Sequence, residues 1–165
     1  MQTHKLKRYN PKTILIEDCV AKEPLARHVR KNLPNVETHI FRTPIESQIA
    51  DLGLSKGKET FVLAKNPGRY FKSCPGSGGS LCCGYFILNT ASNCNFDCTY
   101  CFLQGYLNTS PLIQYADTNA MFAELNGIFE THSDTPIRVG TGELSDSLSL
   151  DPITGLSTLL IPYFA

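Results

Sequence analysis

The chain has 165 residues, and its 15 basic and 15 acidic side chains cancel to a formal net charge of zero. That length suits one domain of ordinary size. With 42% hydrophobic residues, 10 prolines and 12 glycines, the composition excludes a collagen, a disordered tail and a low-complexity chain. No apolar run approaches the roughly 18 residues of a membrane span.

The zero is a cancellation between two halves. Residues 1–72 carry 14 basic against 7 acidic side chains, or +7, and the remainder carries 1 against 8, or −7. The basic, polar start is followed by a short apolar stretch broken by Glu17 and Asp18, which is not a secretory signal. A cytoplasmic, reducing location is the expectation, with no membrane partner. Seven cysteines are many for such a compartment, and an odd number argues against a disulfide framework and for metal binding or chemistry.

In chain order, the pattern predicts a strand at Thr13–Glu17 and a helix from about Ala21 to Leu33, with Leu25, Val29 and Leu33 on one face and Pro34 as its stop. A second strand follows at Val36–Phe41. A loop through Gly53 and Gly57 leads to a third at Thr60–Ala64, which completes a small α/β unit. Cys19 adjoins the first strand and reads as a core residue. The Gly/Ser-rich run at 75–80 reads as a flexible loop, and the domain boundary is placed at this junction, giving 1–83 and 84–165.

The second part opens with a strand at Gly84–Asn89 that runs into the cysteines. Asp117 or Thr118 then caps a helix whose Phe122, Leu125 and Phe129 share a face. A strand at Pro136–Gly142 follows. Asp151 and Pro152 start a last helix with Leu156, Leu159 and Leu160 on its apolar side. Strand, cysteine loop, helix, strand, acidic loop, helix is βαβα, the start of a parallel α/β sheet or barrel.

Six of the seven cysteines lie between Cys74 and Cys101, and Cys94, Cys98 and Cys101 are spaced C-x3-C-x2-C. Zinc usually takes four ligands in two separated pairs, but no cysteine follows Cys101, and the only downstream histidine is His132. His4, His28 and His39 show no metal spacing either. Neither common ferredoxin spacing matches. Three close thiolates without an obvious fourth suit a four-iron cluster with one open iron.

This spacing, with the aromatic Tyr100 just before the third cysteine, resembles the radical S-adenosylmethionine enzymes. The resemblance implies that Cys94, Cys98 and Cys101 each hold one iron of a [4Fe-4S] cluster whose fourth iron binds S-adenosylmethionine, with Tyr100 against the adenine. It also implies the start of a (βα)6 barrel. Gly140-Thr141-Gly142-Glu143 is similar to the Gly-Gly-Glu-like motif of these enzymes. Glycines at Gly140 and Gly142 let backbone approach a ligand, and the Glu143 carboxylate can receive an ammonium. Within the superfamily, the stretch 91–112 and Ser145-Asp146 leading to 150–154 resemble the spore photoproduct lyase group. That likeness implies DNA bearing a thymine photoproduct as substrate, and an electron donor such as flavodoxin or ferredoxin.

The group uses a further cysteine as hydrogen donor just before its Ser-Asp pair. Here that position is Glu143, so no catalytic residue is assigned. Cys74, Cys82 and Cys83 read first as buried or loop thiols in a reducing cell, with a replacement donor or a second metal as the alternative. The basic N-terminal region, with 7 acidic residues interspersed, reads first as a solvated face, and contact with DNA phosphates is the alternative. The runner-up readings are an enzyme of the same group with another substrate, and a metal-binding module without chemistry. A complete barrel of this kind needs on the order of 200 residues, so the chain reads as an inactive fragment that exposes strand edges.

Overall fold

The computed structural model describes residues 9–50, 52, 57–76, 79, 84–96, 98–107, 111–132, 134 and 136–165. Its strands are β1 (Thr13–Glu17), β2 (Glu37–Phe41), β3 (Thr60–Ala64), β4 (Phe71–Ser73), β5 (Tyr85–Leu88), β6 (Ala91–Ser92), β7 (Leu112–Tyr115) and β8 (Arg138–Gly140). Its helices are α1 (Pro24–Asn32), α2 (Ile45–Ile49), α3 (Leu103–Tyr106), α4 (Thr118–Thr131), α5 (Asp151–Thr154) and α6 (Ser157–Phe164), with a 3-10 turn at Asp18–Val20.

Two sheets organise these elements. The first has the order β2-β1-β3-β7-β6, in which β2, β1, β3 and β7 are parallel and β6 is antiparallel to β7. The second has the order β4-β5-β8, with β5 and β8 parallel and β4 antiparallel to β5. Parallel strands joined through helices make this an α/β fold. Strands from before and after residue 83 share the first sheet, because β7 takes its hydrogen bonds from β3.

β3 is buried along its whole length, as a central strand covered on both faces must be. On one face, Ile14, Ile16, Phe61 and Leu63 pack with Leu25, Ala26 and Val29 of α1 and with Leu150 and Ile153 near α5. On the other, Val62 and Ala64 pack with Phe41, Ile49 and Ile113. A further cluster joins the second sheet to α4 through Phe71, Leu88, Met121 and Leu125.

β1 and β3 have the expected bounds, and the α4 cap is Asp117, whose side chain accepts from Ala120 N at 3.0 Å. α1 begins three residues later than its apolar spacing indicates, because Pro24 at its first turn has no N–H to donate and suits a helix start. The turn before α1 also corrects the reading of Cys19. After β1 ends, Val20 takes the core position and Cys19 is exposed. The single helix expected from Asp151 is two helices, since Gly155 adopts φ +62° between them. That break resets the helical phase. Leu156 is buried at the start of the second helix, whereas Leu159 is 42% exposed. The short elements β4, β6, β7, α2 and α3 are not foreseen from the pattern.

α5 packs across α1: Asn32 Nδ2 donates to Ile153 O at 3.0 Å, and the His28 ring lies against Gly155. The loop that follows β8 is thereby held to the first sheet. Among the described residues, no helix is long and apolar enough to cross a membrane.

Candidate active site

Cys94, Cys98 and Cys101 follow β6 and line one cavity of about 310 Å³ with Phe96, Tyr100, Phe102 and Leu103. Gly142, Glu143, Ser145 and Asp146, from the loop after β8, line the same cavity. Two motifs separated by β7 and α4 thus share a single space. The join between them is a backbone hydrogen bond from Asn93 N to Leu144 O at 2.7 Å. Asn93 makes it from φ 68°, a left-handed conformation that asparagine tolerates better than most residues.

The cysteine loop is fixed locally. Asn93 Oδ1 accepts from Cys94 N at 2.8 Å, and Phe96 N donates to Cys94 Sγ at 3.4 Å. Lys58 Nζ donates to Phe96 O at 2.7 Å, tying the loop to the segment before β3. Cys101 N donates to Cys98 O at 3.0 Å, closing a turn that leads into α3. Cys94 is buried, Cys98 and Cys101 are half-buried, and none of the three is in a disulfide.

Tyr100 lies on the cavity wall but is 89% exposed. Its hydroxyl is raised above the usual tyrosine range, first by a hydrogen bond with Cys98 and then by the charge of that cysteine. Phe102 and Tyr106 are also exposed, their ring centres 5.8 Å apart.

Glu143 is the cavity's acidic residue nearest β8. Its Oε2 is shielded from solvent and has no hydrogen-bond partner. Lys72 Nζ from β4 stands 3.2 Å from that oxygen, near enough for an ion pair but without the alignment of a hydrogen bond. The loop around Glu143 is knit by its own polar groups: Thr141 Oγ1 donates to Ser147 Oγ at 2.7 Å, and Leu148 N donates to Asp146 Oδ1 at 3.0 Å. A Cβ on Gly142 would come within 3.1 Å of Ser147 Oγ, so this tight loop favours glycine there.

Gly140 is placed differently. It lines a separate cavity of about 620 Å³ with Thr141, Leu156, Leu160 and Phe164. The space beside its Cα is filled by the Tyr85 phenol, whose Cζ would lie 2.6 Å from an added Cβ. Cys74 is half-buried and pairs through its backbone with Tyr85, outside the cysteine cavity. Cys82 and Cys83 lie outside the described residues. Sequence reasoning did not single out Lys58 or Lys72, since lysines far upstream of a motif carry no spacing signal.

Among the described residues, no three His, Cys, Asp or Glu side chains converge on a point where they could share one metal ion. A single ion demands that convergence, whereas a cluster takes its thiolates on separate irons. The donor set suits the second case: three thiols and Glu143 line one cavity, and one of the sulfurs receives a backbone N–H.

No family model and no curated protein sequence matches the chain. Solved structures do. A double mutant of spore photoproduct lyase with bound AdoMet and dinucleoside spore photoproduct aligns with a TM-score of 0.76 at 19% identity, over 93% of this chain and 46% of that one. Spore photoproduct lyase complexed with dinucleoside spore photoproduct aligns with a TM-score of 0.75, again at 19% identity and the same coverage. A single mutant of the lyase aligns with a TM-score of 0.74 at 18% identity. The chain therefore has the fold of part of spore photoproduct lyase, and spans 46% of the length of these structures.

Proposed function

We propose that this chain supplies the cofactor-binding part of a radical S-adenosylmethionine enzyme of the spore photoproduct lyase type. The observation that carries the reading is the cavity that Cys94, Cys98 and Cys101 share with Gly142 and Glu143. Its position also fits, since active sites of α/β barrels lie at the C-terminal ends of the strands, and Glu143 follows the end of β8.

In this proposal Cys94, Cys98 and Cys101 hold a [4Fe-4S] cluster and Glu143 accepts the ammonium of S-adenosylmethionine. When bound, the cluster supplies the electron that cleaves the sulfonium to methionine and a 5′-deoxyadenosyl radical, chemistry that belongs to the cofactor. The chain's own residues bind and orient. Phe96 N–H donates to Cys94 Sγ and orients that sulfur. Lys58 and Asn93 hold the cysteine loop against its neighbours. Tyr100, on the open side of the cavity, supplies an aromatic face for the adenine. Gly142 permits the tight loop that presents Glu143.

The proposed substrate is a thymine photoproduct in DNA, since the structurally similar lyase complexes hold a dinucleoside spore photoproduct. The basic region within 1–83 would contact phosphates, and 84–165 would open the barrel. The electron would come from a flavodoxin- or ferredoxin-like donor in the cytoplasm. A specific observation favours a second substrate within the same chemistry. Where the resemblance places a hydrogen-donating cysteine stands Glu143, a carboxylate with no weak bond to hydrogen on sulfur. Cys74 does not line the cavity.

Anaerobic reconstitution tests the reading. Four-iron absorption and reductant-dependent release of 5′-deoxyadenosine are expected, and both should vanish in Cys98→Ala. Tight zinc binding without a cluster would favour a metal module and overturn the enzyme. Ultraviolet-treated spore-type DNA then tests the substrate: persistence of the lesion beside active cleavage of S-adenosylmethionine would leave the radical class and remove thymine repair.

A further inference from the structure

Glu143 Oε2 combines burial, an unfilled hydrogen-bonding capacity and a cation at 3.2 Å. Lys72, which provides that cation, does not line the cysteine cavity. It sits on β4, where it pairs with Ile87 of β5, and Ile87 pairs in turn with Gly140 of β8. The three residues form one rank across the second sheet. Strands two places apart are separated by roughly 9–10 Å, so only a long side chain from each end can close the gap. Lys72 reaches from β4 and Glu143 reaches back from the loop after β8.

We propose that Lys72 is the positioning residue of Glu143, holding the shielded Oε2 by charge from the β4 side while leaving the carboxylate's other oxygen to accept an N–H from the ammonium of S-adenosylmethionine. The proposal rests on the function given above and adds a residue outside both motifs. Lys72 attracts the shielded oxygen from outside the cavity, so the cation and the ligand do not compete for one acceptor. Both side chains are only partly exposed, Lys72 at 44% and Glu143 at 29%, so solvent screens the pair incompletely. Lys72 and the ligand's ammonium would then flank one carboxylate from different sides. Without Lys72 the carboxylate loses its anchor on the β4 side and must be ordered by the ligand itself, which weakens binding.

The test is calorimetric binding of S-adenosylmethionine and of its analogue lacking the α-amino group to the anaerobically reconstituted protein. Five forms are compared: wild type, Lys72→Met, Lys72→Arg, Glu143→Gln and the Lys72→Met, Glu143→Gln double variant. Lys72→Met should weaken S-adenosylmethionine binding by about 3- to 10-fold, the size of a partly exposed charge interaction, and leave binding of the deaminated analogue nearly unchanged. In the Glu143→Gln background the same substitution should have no further effect. Lys72→Arg should recover part of the loss. An equal loss from Lys72→Met in both backgrounds, or for both ligands, would show a structural role and overturn the proposal. Wild-type protein that binds no S-adenosylmethionine overturns the function itself and this inference with it. Thermal unfolding of each variant distinguishes these outcomes from a misfolded protein, and in that event Lys72→Gln repeats the comparison.

Discussion

Glu124 of α4 offers a measurable link between the fold and the position of Lys72. Its two carboxylate oxygens accept the backbone N–H groups of consecutive residues, Tyr70 N at 2.9 Å on Oε2 and Phe71 N at 3.0 Å on Oε1. Tyr70 is 4% and Phe71 1% exposed, so water cannot readily replace either bond. The carboxylate thus fastens the start of β4, one residue before Lys72, to α4. Glu124→Ala leaves two donors unsatisfied. At about 1–3 kcal/mol for each buried donor, less what partial water access returns, the expected loss is about 2–4 kcal/mol. Glu124→Gln keeps one acceptor and turns an N–H2 toward the other donor, so it should lose a similar or slightly smaller amount rather than restore stability. Urea unfolding followed by far-ultraviolet circular dichroism measures both, and the thermal midpoint should fall by about 2–4 °C for each kcal/mol. A Glu124→Ala loss under about 0.5 kcal/mol, with unchanged urea dependence, would refute the idea that these two bonds fasten β4.

Gly140→Ala should destabilise by about 1–3 kcal/mol, the usual range for forcing extra volume into a packed site, because the new Cβ meets the Tyr85 ring, with Cζ at 2.6 Å. Combined with Tyr85→Ala, most of that increment should disappear in an unfolding cycle, and strict additivity would sink the explanation. Stability should also fall in base. Burial raises the Tyr9 and Tyr70 hydroxyls well above the usual tyrosine value, for Tyr70 with added repulsion from Asp117. The folded state then holds these protons more tightly than the unfolded chain does, so the stabilisation is complete below about pH 10 and is lost as pH rises further. Urea midpoints should be level from pH 7 to 9 and drop by pH 11, by about 1 kcal/mol for each tyrosine. A midpoint unchanged at pH 11 contradicts this.

What could be read from the sequence was local. β1 and β3 have their expected bounds because short apolar, β-branched runs between polar and turn residues determine themselves. The α4 cap at Asp117 follows from side-chain chemistry within three residues. The cysteine spacing, and Glu143 after a glycine, are likewise contiguous in the chain. β7 carries no such mark. It is a four-residue segment with a buried glutamine, Gln114, whose Nε2 donates to Thr90 O at 2.8 Å, and it is a strand because β3 offers it an edge.

The sequence by itself determined the α/β character, the three thiols and the carboxylate that make the chemistry conceivable. Tertiary structure alone decided that the two motifs share one cavity, through the bond from Asn93 to Leu144, and that a lysine from β4 stands beside Glu143. It also decided that Gly140 answers to Tyr85 rather than to the cysteine cavity. The physical reason is range. Propensity, capping and ligand spacing act over a few residues along the chain, whereas strand pairing and charge contacts join residues by distance in space, which no local pattern encodes.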